Sequence, residues 1–137
     1  MLSLQDRRDI DDLYIRYCYA INELRVAEWV DCFTADGAFI PGWGPVQGEF
    51  RGADALAAFA ADPERVRTTR HWNANLRLWT DEEPVRATCY GLLVDYAEPQ
   101  PRLLTHVIYH DVLVRERGEW RFAERRPTPD RIAPEAS

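Results

Sequence analysis

Four residues carry the chemistry most worth following in this chain: His71, Tyr14, Tyr17 and Asn22. His71 opens an alternating aromatic stretch, Arg70-His71-Trp72-Asn73-Ala74-Asn75. An imidazole there can take up or release a proton near neutral pH, as a general base or acid would. Tyr14 and Tyr17 lie one turn apart in a helical pattern, so both phenols can face one cavity, where a buried hydroxyl needs a partner. Asn22, near the end of that helix, can orient the imidazole or a ligand through its amide. Bland readings stand beside these: a structural histidine, an aromatic core with a wetted hydroxyl, and a helix-end cap.

Other positions add candidate ligand contacts. Asn73 sits in the histidine stretch, and Trp43 lies in the glycine- and proline-rich turn Gly42-Trp43-Gly44-Pro45-Val46-Gln47-Gly48, where it can cover a cavity mouth. His106 and His110 have the spacing of a zinc pair on a helix, but Thr105-His106-Val107-Ile108-Tyr109-His110 is rich in strand formers. Four residues along a strand separate two side chains by roughly 13 Å, too far to share one metal. They point to the same face, which makes His110 a candidate cavity residue and His106 a rim or interface residue; no metal site is expected. Asp111 reads as a strand-pairing or interface residue, and no inner-strand carboxylate stands out as a base for hydrolysis.

Composition narrows the function further. The chain has 137 residues, 46% of them hydrophobic and 12% aromatic, which fits one soluble domain with a single core. A formal charge of −6 gives no electrostatic drive toward nucleic acid or an anionic membrane. No apolar run approaches the ~20 residues of a spanning helix, and no secretory signal opens the chain, so the expected location is the cytoplasm. Cys18, Cys32 and Cys89 form no Cys-x-x-Cys pair and read as reduced, mostly buried thiols. All 17 basic residues are arginine. Without lysine, neither a Schiff base nor a Walker-type phosphate loop can form.

The elements that must position these groups follow from periodicity. Ser3 and Asp6 resemble a helix cap, and Ile10, Leu13, Tyr14, Tyr17, Cys18 and Ile21 recur at helical spacing, which predicts a helix to about Leu24. A shorter helix spans about Val26 to Phe33, followed by a short strand at Ala38-Phe39-Ile40. An edge strand at 48–52 precedes a third helix from about Asp54 to Pro63. Four long strands follow: Arg70 to Thr80, Val85 to Tyr96, Leu103 to Arg117, and Glu119 to Arg125. The expectation is an α+β domain over residues 1–126, a curved antiparallel sheet wrapped around the first helix, with a flexible proline-rich tail at 127–137. Leu103 to Val114 has apolar residues on both parities, which predicts a homodimer through the outer sheet face.

This order and these residues resemble the SnoaL-like branch of the nuclear transport factor 2-like superfamily, which includes polyketide cyclases and scytalone-type dehydratases. The likeness runs through Tyr14-Ile15-Arg16-Tyr17-Cys18-Tyr19-Ala20-Ile21-Asn22, then Trp29 with Phe33-Thr34-Ala35-Asp36-Gly37. It continues through the His71 strand, Tyr109-His110-Asp111, Gly118-Glu119-Trp120-Arg121-Phe122 and Arg125, over roughly residues 5 to 126. The resemblance implies a cone-shaped sheet and a cofactor-independent dehydratase, cyclase or isomerase acting on a hydrophobic, cyclic or aromatic small molecule of polyketide-like secondary metabolism. In that reading His71, Tyr17 and Asn22 are catalytic, and Tyr14, Trp43, Asn73 and His110 contact the substrate. Asn22 stands where the dehydratases usually carry an aspartate, and an amide cannot stabilise an imidazolium as a carboxylate would. The alternative is a noncatalytic ligand-binding or assembly subunit on the same fold.

Overall fold

The structure, a computed structural model, describes residues 1–42, 47–64 and 67–130. Helix α1 runs Leu4–Asn22 and starts in a reciprocal capping box, in which the Ser3 hydroxyl accepts from the Asp6 N–H and the Asp6 carboxylate accepts from the Ser3 N–H. Its buried stripe is Ile10, Leu13, Tyr14, Tyr17, Ala20 and Ile21. Asp6 also accepts from Arg115 at 2.6 Å and from the Trp120 indole at 3.3 Å, which pins the start of the helix to the sheet. Leu24, just past the helix end, takes a left-handed φ of 58° and turns the chain into α2, Val26–Asp31.

Six strands complete the fold: β1 Phe33–Phe39, β2 Phe50–Arg51, β3 Thr69–Leu78, β4 Val85–Asp95, β5 Arg102–Glu116 and β6 Glu119–Pro129. Helix α3, Ala53–Ala61, lies between β2 and β3 in sequence. The curved, unclosed sheet has the order β2-β1-β6-β5-β4-β3. It is mixed, because β1 pairs with β6 in parallel while the other neighbours are antiparallel. Arg117 and Gly118, at φ 53° and 77°, form the tight turn between β5 and β6. Among the described residues no helix is long and apolar enough to cross a membrane.

Two expected boundaries need correction. The second helix stops at Asp31, and Phe33 already belongs to β1, paired with Phe122. Phe33 packs on Trp29 at 5.0 Å between ring centroids, so its apolar character serves the core from a strand. The supposed tail also begins too early. Strand β6 continues to Pro129, and Pro127 is fully buried. The Pro127 carbonyl accepts from the Gly42 N–H, so its ring nitrogen also faces the β1 side and costs no bond with β5. Residues 131–137 lie outside the described residues.

Candidate functional site

Beside the C-terminal end of α1, between the helices and the sheet, lies a cavity of about 90 Å³. Tyr17 and Ile21 from α1, Trp29 from α2 and Phe59 from α3 form one wall. His71, Gly91 and Tyr109, from three neighbouring strands, form the other. Most of this lining is aromatic or aliphatic, as expected where a hydrophobic ligand is held by few polar groups.

His71 is fixed by one atom. The Asn22 side-chain oxygen accepts from the His71 backbone N–H at 2.9 Å and lies 2.8 Å from its ring Nδ1. A backbone N–H can only donate, so the amide atom facing it must be the oxygen. Nδ1 must then carry a proton, and in the neutral ring the lone pair sits on Nε2. This places a basic nitrogen on a ring that lines an apolar cavity.

A second polar centre lies deeper between α1 and the sheet. Asp111 and Arg125 are an ion pair with both side chains fully buried, Oδ1 to Nε at 3.2 Å. The Tyr14 hydroxyl donates to the other Asp111 oxygen at 2.5 Å. Arg125 Nη2 donates to the Asn73 side-chain oxygen at 2.7 Å and lies 3.3 Å from Cys89 Sγ. The guanidinium carbon stands 3.6 Å from the Tyr109 ring centre and 4.3 Å from that of Tyr17. Burial pushes the Asp111 carboxyl up, and the Arg125 charge and the Tyr14 hydrogen bond oppose that shift. Burial works against the Arg125 charge, but Asp111 and the surrounding groups outweigh it and hold the guanidinium protonated. Burial also pushes the Cys89 thiol up to about 12, so it is not a nucleophile at neutral pH.

The SnoaL-like domain profile matches residues 2–126. The chain belongs to the SnoaL-like family. This SnoaL-like protein is similar to a variant of Rv3472 from Mycobacterium tuberculosis, a protein of unknown function. The two are 31% identical with a TM-score of 0.81, over 93% of this chain and 73% of that one. It shares its fold with ActVI-ORFA from Streptomyces coelicolor, at 23% identity and a TM-score of 0.78, over 90% and 96% of the two chains. It also shares it with a putative scytalone dehydratase from Novosphingobium aromaticivorans, at 20% identity and a TM-score of 0.77, over 93% and 86%. A sequence comparison with curated proteins found no match.

The SnoaL-like fold gathers some of the expected site residues and scatters others. His71, Asn22 and Tyr17 come together at the cavity. Tyr14 and Asn73 instead serve the buried ion pair and border a separate shallow recess between α1 and β3. His110 is a correction: it is exposed on the outer sheet face, opposite Thr88 and Arg126, while Tyr109 and Asp111 face inward. His106 shares that outer face. Asp111 is the second correction, because it is an inner-strand carboxylate after all. With both oxygens occupied and no place in the cavity lining, it is not positioned to activate water there. Trp43 lies outside the described residues. Sequence reasoning missed Tyr109, Gly91 and the Arg125–Asp111 pair, although strand parity carried the signal: Val107, Tyr109, Asp111 and Leu113 are all buried. Among the described residues no group of three or more His, Cys, Asp or Glu is arranged to hold a metal.

Proposed function

We propose that this protein is an acid/base enzyme, a dehydratase, cyclase or isomerase, acting on a hydrophobic cyclic or aromatic small molecule in the cone cavity. His71 Nε2 takes a proton from a carbon next to a carbonyl, or assists loss of water, and returns it at another position. The transfer itself calls on no cofactor. Charge developing on the substrate oxygen is stabilised by a phenol donor, and such stabilisation is strongest where water is excluded. The supporting observation is the Asn22 oxygen held between the backbone and ring N–H groups of His71, which leaves Nε2 as the basic nitrogen of the neutral ring. The fold shared with ActVI-ORFA and a putative scytalone dehydratase is compatible with such chemistry and does not select the reaction.

The test is solvent-deuterium exchange at C2 of 1-indanone, followed by NMR. Wild-type protein should accelerate exchange, and His71→Ala should lower that acceleration by about 100-fold or more. Equal exchange by the two proteins would remove the proposal.

A noncatalytic ligand-binding or assembly role is the second reading, and the outer sheet face favours it. Trp72 and Leu92 are register partners across β3 and β4, and both are exposed, as is Tyr90. We assign this face to a homodimer. Trp72→Glu should then convert a concentration-dependent dimer into a monomer in sedimentation; a wild type that stays monomeric throughout would reject the dimer. The three free thiols suit a reducing compartment, which supports a cytoplasmic location.

A further inference from the structure

The cavity contains a phenol that the sequence did not single out. We propose that Tyr109 is the substrate-binding residue that donates a hydrogen bond to a ligand oxygen, and that Gly91 and Arg125 are the two surfaces that aim it. The inference deepens the reading above, in which His71 moves a proton next to a carbonyl.

Three observations converge on Tyr109. Its ring lines the cavity, yet among the described residues no group hydrogen-bonds its hydroxyl. The oxygen is not among the sealed atoms that lack a partner, so it is open to contact, and a ligand oxygen can serve as its acceptor. Tyr14, by contrast, spends its hydroxyl on Asp111. Tyr17 has the Trp29 indole N–H near enough to lower its pKa, though short of hydrogen-bond geometry.

The second observation is Gly91, which faces inward on β4 between Asn73 and Val107. A Cβ at Gly91 would stand 2.3 Å from Tyr109 Cε2 and 3.0 Å from Cδ2. The ring therefore leans from its own strand across β4, into space that only glycine leaves open. Tyr109 pairs with Cys89, so this lean carries its hydroxyl along β4 toward Leu93, the register partner of His71. The proton-moving group and the donor thus lie along the same sheet wall of one cavity.

The third is the Arg125 guanidinium, 3.6 Å from the centre of the Tyr109 ring. Burial raises the Tyr109 phenol above its ordinary value, and the Arg125 charge works against that rise. A cation against the ring favours negative charge on the phenol oxygen, which makes the hydroxyl a stronger donor. The ligand class that fits is a hydrophobic small molecule with a carbonyl, or the enolate formed from it. Its oxygen meets Tyr109 while its α-carbon meets His71.

The experiment measures Kd for 1-indanone and for indane, which lacks the oxygen, by NMR titration. Wild-type protein should prefer the ketone by about five- to tenfold, the worth of one hydrogen bond. Tyr109→Phe should bring the preference close to one while leaving indane affinity within about twofold. Gly91→Ala, with the hydroxyl present but the ring displaced, should also lose the preference. Equal affinity of the wild type for both probes, including no measurable binding of either, overturns the proposal. So does a preference lost in Tyr17→Phe and kept in Tyr109→Phe. Binding is read without turnover, so failure of the His71 exchange test and failure of this one are separate results.

Discussion

The two polar centres of the inner wall are built on opposite principles. At the Asp111–Arg125 pair the carboxylate is fully engaged by the protein itself, while Arg125 Nη1 and Asn73 Nδ2 are buried without a hydrogen-bond partner among the described residues. Both carboxylate oxygens accept, one from Tyr14 and one from Arg125, and the guanidinium fork also reaches Asn73. At the cavity the polar groups are few, the walls are apolar, and Asn22 fixes His71 through the nitrogen that does not carry the lone pair. A buried ion pair with both carboxylate oxygens engaged ties α1, β5 and β6 together, whereas a sparse polar lining leaves capacity for a ligand. The chain buries a charge pair between α1 and the sheet, and it anchors an imidazole by an amide at the cavity.

Breaking the buried ion pair should have the largest effect. Asp111→Ala leaves Arg125 charged, buried and unpaired, which should cost about 3–5 kcal/mol in urea denaturation. His71→Ala should cost less than ~1 kcal/mol in the same measurement while abolishing exchange, and equal losses in the two variants would erase the distinction. Gly91→Ala should come next. The added methyl must push the Tyr109 ring off β4, at about 1–3 kcal/mol of stability. A melting temperature equal to wild type would show that the ring does not depend on glycine there.

Asn22→Asp sharpens the comparison by bringing a carboxylate to the cavity side. A carboxylate favours the imidazolium, so the ascending limb of the exchange profile, where His71 loses its proton, should move to higher pH by about one unit or more. An unchanged profile would mean that residue 22 does not govern the titration. The smallest effect belongs to Asp6, far from both centres. Its carboxyl lies at about 2 rather than 3.8, chiefly because the Ser3 backbone N–H donates to it, with further donors from the Ser3 hydroxyl and Trp120. A lowered folded-state value stabilises the fold above pH ~4 and loses that contribution as pH falls toward ~2. Asp6→Asn should therefore flatten the stability profile in that window only.

Much of this was legible in the sequence because local signals and tertiary demand agreed. Ser3 and Asp6 announced the start of α1, and the stripe from Ile10 to Ile21 announced its buried face. The order of elements, the family and the pairing of Asn22 with the His71 strand followed. The misreadings share one physical cause. Along β5 the two faces are both partly apolar, so composition alone did not say which parity faced inward. Choosing the histidines put His110 inside, gave Tyr109 no site role and sent Asp111 to a strand-pairing or interface role, although a one-residue shift of phase reverses every side chain of a strand. Phe33 was read as helical because a core aromatic looks the same from either element. Pro127 looked like a breaker, although a proline whose nitrogen faces away from the neighbouring ladder is tolerated within a strand. Gly91 had no signal of its own, because only the position of the Tyr109 ring gives it meaning.

The account rests on His71 acting on a ligand inside the cone, and a crystal structure with 1-indanone bound tests that most directly. The ketone should lie in the cavity with its oxygen against the Tyr109 hydroxyl and C2 within about 3.5 Å of His71 Nε2. A ligand seated on the outer sheet face, or one in the cavity with C2 turned away from the imidazole, would contradict it.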